Sequence, residues 1–340
     1  MKKFIVLLSL LMIIVAALLS GGCSSDNNSQ KKISITFANS SANWQKNGNS
    51  MKADLEKEGF TVDLQFADTD SQQIEQLKAM IASKPSCIVI GAVNSENLSE
   101  VLKEAKEEKI PVIAYDRLIM NTDAVSYYAS FDNEAVGAAM GEYIVASLDL
   151  KNGSGPYNIE VFAGDPGDNN AHMFFNGSMK VLKPYFDNGQ LVSPSRQVSF
   201  DQAATKDWDK NNAKSRMDKL LSTYYTGGTP LNVVLAPNDG CADGIRSSLQ
   251  ANYHGPWPIL TGQDSDSTAL EAIKNGTQSI TIYKSSSELN TKCIRMIKAV
   301  VEGVKPAIND KTSYNNGVMV VPSYLCIPLI VDKDNLSVVK

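Results

Sequence analysis

Histidine is almost missing from this chain: His172 and His254 are the only two in 340 residues. No Cys-x-x-Cys pair occurs either, so a zinc site built from histidine and cysteine is not expected. Basic blocks are absent. Lys and Arg number 32 against 37 Asp and Glu, a net charge of -5, whereas nucleic acid selects a basic face. The chain has no Gly-x-Ser-x-Gly elbow, no phosphate-cradling loop and no dinucleotide fingerprint. The usual equipment of hydrolases, nucleotidases and dehydrogenases is therefore missing, and no cofactor is expected. Short-period repeats are absent. Beyond the N-terminus no long apolar run exists, so nothing else should span a bilayer.

What the chain does have begins at its first residues. Lys2 and Lys3 precede an apolar run from Phe4 to Leu19, followed by Ser20-Gly21-Gly22-Cys23. A charged start, a short apolar stretch and small residues before a cut site make a secretory signal peptide. The run is short for a membrane span of about 20 residues, although an uncleaved anchor or an ordinary signal peptide has the same outline. Leu19 to Cys23 resembles the lipobox of bacterial lipoproteins, with Leu19 one place further from the cysteine than usual. That resemblance implies that residues 1–22 are removed and that Cys23 is lipidated. Residues 23–32 would then form a flexible tether, because Ser24 to Lys32 is polar and lacks aromatics. A body held outside the cytoplasm by a lipid anchor is the expected location.

The remaining chain, about 310 residues, suits two domains better than one core. Cys87, Cys241, Cys293 and Cys326 make an even number, which outside the cytoplasm invites disulfides. Yet Cys87 sits in an apolar run and Cys293 on the apolar stripe of a helix, so four free, buried thiols are the expectation.

Strand-like and helix-like patterns alternate. Ile33–Ala38, Thr61–Phe66, Cys87–Gly91 and Ile110–Tyr115 read as strands. Between them lie a helix from Trp44 and stripes at Ile74, Leu77, Ile81 and at Leu98, Val101, Leu102, Ala105. The beat resumes after Ser130. Strands are expected at Asn158–Ala163, Leu191–Val198, Leu231–Ala236, Ile259–Thr261 and Ser279–Tyr283. Helices are expected from Asn133, over Asn170–Leu182 and Asp207–Leu221, through Ile245, over Thr268–Ile273 and from Leu289 to Val301. The stretch Val318–Val331 reads as extended. Apolar strands alternating with helices mean parallel sheets covered on both faces. The expected fold is α/β, with two doubly wound lobes and the ligand in the cleft between them.

In such sheets ligands sit beyond the carboxyl ends of the strands. There the chain carries Asp116-Arg117, Asp168-Asn169-Asn170, Asn238-Asp239, Gln263-Asp264 and Lys284, with Asn39 and Ser40 after the first strand. Trp44 and Trp208 open helices nearby. Asp, Asn and Arg each offer forked groups that can meet two adjacent hydroxyls. Flat indoles can cover the apolar C–H faces of a sugar ring. Any single Asx residue after a strand could simply cap a helix, but so many strand ends, with Arg117 and Lys284 among them, fit a neutral polyol better.

Several stretches carry a family resemblance: Ala114-Tyr-Asp-Arg-Leu-Ile119, Ser130-Phe-Asp-Asn-Glu134, Asp168-Asn-Asn-Ala171, Met179-Lys-Val-Leu-Lys-Pro-Tyr185, Gly262-Gln-Asp264 and Val321-Pro-Ser-Tyr324. From about Ile33 to the C-terminus the chain resembles the periplasmic sugar-binding proteins of ABC transporters, in their xylose- and multiple-monosaccharide-binding branch. The resemblance implies a monomer that captures a monosaccharide by hinge closure and delivers it to an ABC permease. By position, Trp44 and Trp208 would sandwich the ring. Asp116 and Arg117 would bind hydroxyls from the first lobe, and Asn170, Asn238, Asp264 and Lys284 would complete the cage. Asp168, Asn169, Asp239 and Gln263 could stand one layer behind. Relatives often carry a cation where this chain has Asn43, and a second near Asn39, which bears on which sugar is bound.

Three chain crossings are implied, near Ser130-Phe131, Thr261-Gly262 and Tyr283-Lys284. They assign residues 33–130 and 262–283 to the first lobe, and 131–261 and 284–340 to the second. Rival readings are a glycosidase using Asp116 and Asp264, a repressor of the same fold, which would need a DNA-reading helix pair, and a sensor. The sensor would feed sugar or autoinducer binding to a chemoreceptor or sensor kinase.

Overall fold

A computed structural model describes residues 31–38 and 42–339. The expected signal peptide, the lipidation site Cys23, nearly all of the tether, Asn39 and Ser40 lie outside the described residues.

The first lobe begins with β1 (Lys32–Ala38), α1 (Ala42–Lys57), β2 (Thr61–Ala67), α2 (Asp70–Ala82), β3 (Cys87–Gly91), α3 (Ser99–Glu107), β4 (Val112–Tyr115) and β5 (Val125–Phe131). The middle strands β3 and β4 are apolar on both faces, so their alternate residues feed opposite cores. Ile33, Ile35, Cys87 and Val89 face one core with Met51 and Leu55 of α1. Ile88 and Ile90 face the other with Leu77, Met80 and Leu102. The chain then crosses at Phe131–Asn133 into the second lobe: α4 (Asn133–Ser147), β6 (Tyr157–Val161), α5 (Asn169–Asp187), β7 (Leu191–Val192), α6 (Phe200–Ala203), α7 (Lys210–Tyr224), β8 (Val233–Leu235), α8 (Asp239–Asn252), β9 (Ile259–Leu260), α9 (Ser267–Lys274) and β10 (Thr281–Tyr283). It returns at Tyr283–Ser286 into α10 (Ser286–Val301) and β11 (Ser323–Cys326), and crosses last at Cys326–Leu329 into β12 (Leu329–Val331).

The first sheet is six-stranded, order β11-β5-β4-β3-β1-β2, and parallel throughout. The second sheet is four-stranded, order β7-β6-β8-β9, also parallel, with β10 and β12 forming an antiparallel ribbon. The two doubly wound lobes are those the alternating pattern calls for.

Three expectations need correction. The second crossing is not at Thr261-Gly262. Ile280 and Ile282 belong to the second-lobe core, whereas Leu289, Cys293, Ile297 and Cys326 belong to the first. Residues 262–283 therefore go with the second lobe, and α10 and β11 with the first, because an amphipathic stripe declares a buried face but not which core receives it. The strand expected over Leu191–Val198 ends at Val192. Finally, β5 is a full central strand that the sequence reading passes over.

In the second lobe α4 and α5 cross at backbone contact. A Cβ on Gly137 would overlap the carbonyl of Phe174, and one on Gly177 would overlap that of Glu134. Ser178 Oγ donates to the Gly137 carbonyl at 2.8 Å. Gly137→Ala is expected to lower unfolding free energy by about 1–3 kcal/mol, the cost of overpacking a rigid contact, as read by urea titration. An unchanged midpoint would contradict this crossing.

Among the described residues, Cys87, Cys241, Cys293 and Cys326 are all free and buried. Burial pushes the Cys87 and Cys241 thiols up to about 12, which makes them unreactive packing groups.

Candidate functional site

A cavity of about 860 Å³ lies between the carboxyl ends of the strands in the two sheets. Trp44, Asp116, Arg117, Asn170, Trp208, Asn238, Asp264 and Lys284 all line it, as do Asn43, Asp168 and Gln263. Two of the sequence candidates do not. Asn169 is half-buried beside Ser95, whose Oγ accepts from its backbone N–H at 3.4 Å. Asp239 is 1% exposed and organises the wall from behind. Its carboxylate accepts from Gln278 Nε2 at 2.8 Å, Thr281 Oγ1 at 2.8 Å and the Asp266 backbone N–H at 3.0 Å.

The backbone is bent out of the ordinary to make this wall. Ten non-glycine residues among those described have positive φ, and five of them line the cavity: Asp116, Asp207, Trp208, Asp264 and Ser265. Aspartate tolerates this region through its short polar side chain, but a tryptophan there is an outlier. Such strain gathers at ligand sites. Trp208 does not open a helix as the sequence suggests. It ends a single 3₁₀ turn, Lys206–Trp208, and α7 begins two residues later behind its cap Asp209. Its indole lies flat over Gly164, where any Cβ would strike three ring atoms, and it packs edge-to-face with Phe174, ring centroids 6.4 Å apart. The indole Nε1 is buried without a protein partner. On the opposite wall Trp44 packs on Phe37 at 5.2 Å.

Charge is paired across the cavity. Arg117 Nε meets Asp168 Oδ2 at 2.8 Å, joining the first lobe to the second, and its Nη1 donates to the carbonyls of Ala92 and Val93 at 3.0 Å each. Its guanidinium carbon stands 5.7 Å from the Trp44 ring. Lys284 Nζ meets Asp264 Oδ1 at 2.9 Å and lies 5.2 Å from the Phe174 ring. Burial alone would lower the Lys284 ammonium, but Asp264 and Asp116 outweigh it and hold it above its usual value. Burial raises the Asp116 carboxyl above the ordinary range, with Lys284 opposing. Further contacts close the cleft: Ser95 N–H to the Gly167 carbonyl at 3.0 Å, and Asn43 Nδ2 to Asp266 Oδ1 at 3.5 Å.

Asn238 caps α8, its side-chain oxygen accepting from Cys241 N–H at 2.9 Å. Gln263, 1% exposed, donates to the Pro237 carbonyl at 2.7 Å and leaves its Oε1 without a partner. Sequence reasoning missed Phe174, Asp207 and Asp266. Phe174 was within reach, since it follows Asn170 by four places on a helix and so shares its face.

A family model described as a periplasmic binding protein domain matches residues 33–305. The chain belongs to this family. Members are binding proteins rather than enzymes, so Asp116 and Asp264 need no catalytic role. The multiple sugar-binding periplasmic protein of Azospirillum brasilense is 44% identical over 301 residues, 87% of this chain and 84% of that one. The D-xylose-binding periplasmic protein of Escherichia coli is 34% identical, covering 86% of this chain and 84% of its own length. Among solved structures, an ABC transporter solute-binding protein from Clostridium phytofermentans with bound β-D-glucose superimposes with a TM-score of 0.87 at 43% identity. It covers 90% of this chain and 95% of that chain.

Proposed function

We propose that this periplasmic binding protein captures a monosaccharide of the xylose, galactose, glucose or arabinose type between Trp44 and Trp208 and delivers it to an ABC permease. The observation that carries the reading is the convergence of two indoles from opposite walls with Asp116, Arg117, Asn170, Asn238, Asp264 and Lys284 on one cavity. Relatives whose names specify sugars, and a solved relative holding β-D-glucose, support it. The indoles cover the ring's apolar faces, and the paired charges meet its hydroxyls. Each hydroxyl taken from water must find a partner or cost free energy, which makes the site selective among epimers. The lobes part when empty and shut on the sugar by bending at Phe131–Asn133, Tyr283–Ser286 and Cys326–Leu329.

The chain acts outside the cytoplasm, tethered through lipid on Cys23. Among the described residues no helix is long and apolar enough to cross a membrane. A sensory role beside transport is a second reading, favoured by a 44% identical relative from Rhizobium radiobacter whose name calls it a multiple sugar-binding receptor.

A thermal-shift panel of D-xylose, D-galactose, D-glucose, L-arabinose and D-ribose tests the reading, since a ligand bound only by the folded state raises the melting temperature. At least one should produce a shift, and silence from all five would refute it. The affinity should also depend on pH through Asp116. Its carboxyl is raised above its unfolded value of about 3.9, and only the ionised form accepts two sugar hydroxyls. Calorimetric affinity should therefore hold at neutral pH and weaken on acidification before an ordinary aspartate would protonate. The sign for folding is opposite. A raised carboxyl costs the closed form stability as pH climbs from about 3.9 through the raised value. Affinity that stayed flat down to pH 4 would contradict the role of Asp116.

A further inference from the structure

Behind the cavity wall is a polar cluster that fixes which way the amides of Asn133 and Asn170 face. Tyr128 and Ser130, two residues apart and so on one face of β5, both donate to the Asp116 carbonyl, at 2.6 and 2.7 Å. A carbonyl can only accept, so the Ser130 hydroxyl spends its single proton there, whereas the Tyr128 proton has a second acceptor in Asn170 Oδ1 at 3.4 Å. Whatever approaches Ser130 Oγ from elsewhere must then donate. That group is Asn133 Nδ2, at 3.5 Å from Ser130 Oγ and 3.4 Å from Tyr128 Oη. The same Nδ2 lies 2.9 Å from Asn170 Oδ1. Asn170 is thereby turned with its carbonyl toward Asn133 and its amide nitrogen toward the first lobe. Asn170 Nδ2 stands 2.9 Å from the Asp116 carbonyl and 3.4 Å from Asp116 Oδ1.

We infer that Asn133, which does not line the cavity, is a positioning residue: it sets the polarity of Asn170 so that the cleft meets amide donors at this point and not a carbonyl. The inference rests on the reading that Asn170 touches the sugar. Asn133 is 1% exposed, and its backbone N–H is held by Tyr314 Oη at 3.0 Å. It stands at the first turn of α4, on the crossing between the lobes. Asn133 and Asn170 both belong to the second lobe, on helices locked together where Gly137 meets Phe174 and Gly177 meets Glu134. Their bond therefore survives when the lobes part, and Asn170 is oriented before any sugar arrives. Asp116, across the cleft, meets the Asn170 amide only on closure. This specificity reaches the ligand through a side chain that never touches it. A ligand oxygen able to accept is favoured at this point, and a group that can only donate is rejected.

The test is a double-mutant cycle on the intact soluble body, titrated calorimetrically with whichever of the five panel sugars gives the largest thermal shift. Asn133→Asp keeps the shape, removes the donors and places an acid in a helix first turn, where the macrodipole tolerates it. Affinity should fall about tenfold or more in the otherwise native protein, the scale of a polar group left facing the wrong partner. In an Asn170→Ala background the same change should alter affinity less than about twofold, because its route to the sugar is gone. Native affinity in Asn133→Asp, or an equal loss in both backgrounds, would overturn the inference. Asn133→Ala runs the same cycle should the aspartate variant fail to fold. A native protein that binds none of the five sugars refutes the sugar reading itself, before any variant is made.

Discussion

Replacing Arg117 with methionine is expected to abolish sugar binding while leaving the empty protein folded. The guanidinium joins three things at once: Asp168 of the opposite lobe at 2.8 Å, the carbonyls of Ala92 and Val93 at 3.0 Å, and the Trp44 ring at 5.7 Å. Arg117 and Asp168 are 12% and 5% exposed at their side chains. Deleting one member of so buried a pair leaves an uncompensated charge, at a cost of about 3–5 kcal/mol. Under the hinge closure proposed above, the cost falls on shutting the cleft and not on folding. In an open form both charges face water and need no partner, whereas in the closed form Asp168 is shut in. Affinity should drop by about two to three orders of magnitude. The melting temperature of the unliganded protein should move by only about 3 °C or less. Calorimetry and a thermal melt read the two effects separately. A variant that bound sugar normally would show that the bridge is not part of the binding-competent state. One that bound weakly but also melted far lower would show that the bridge supports the fold instead.

The sequence and the structure agree where apolar pattern alone decides. Strands such as Cys87–Gly91, buried at every residue, announce a parallel sheet, and the polar residues after them fall on the cavity because strand ends in both lobes point there. Of the ten described residues chosen on that rule, eight line the cavity, and Asn169 and Asp239 do not. Pattern fails where a residue's meaning depends on a partner far along the chain. The stripe of α10 is plain in the sequence, yet whether Leu289 and Cys293 enter the first or the second core depends on where the chain crosses. Asp239 and Asn238 are neighbours with similar chemistry. Only the turn at Gly262 and the donors of Gln278 and Thr281 draw Asp239 behind the wall while Asn238 faces the cavity. The strained conformations of Asp116, Trp208 and Asp264 leave no trace in composition either, since no glycine marks them. Asn133 is legible as the start of a helix, but its bond to Asn170 depends on two glycines that let the helices touch.

The second large effect is expected from a single methyl group under an indole. Gly164 lies beneath Trp208, and a Cβ there would strike Cη2, Cζ2 and Cζ3 of the ring. Trp208 cannot retreat. Its own backbone is held at φ 54°, its N–H donates to the Thr205 carbonyl at 3.2 Å, and the Phe174 ring packs edge-to-face with it, centroids 6.4 Å apart. Gly164→Ala should therefore drive the indole into the cavity, where one face of the sugar ring is meant to lie. The penalty for folding should stay near the 1–3 kcal/mol of ordinary overpacking, because the open cavity lets the ring swing aside. The penalty for binding should be larger, since a tilted indole both loses its contact with the sugar and occupies the sugar's space. Affinity should fall by at least about 100-fold, equivalent to about 2.7 kcal/mol. Trp208→Ala in the same protein supplies the control. It removes the stacking surface but leaves the space free, so Gly164→Ala added to it should cost almost nothing more. Additive losses would mean that Gly164 acts on the backbone turn and not through the ring. Tryptophan fluorescence, comparing each variant with and without sugar, would report the displacement of the ring independently of affinity.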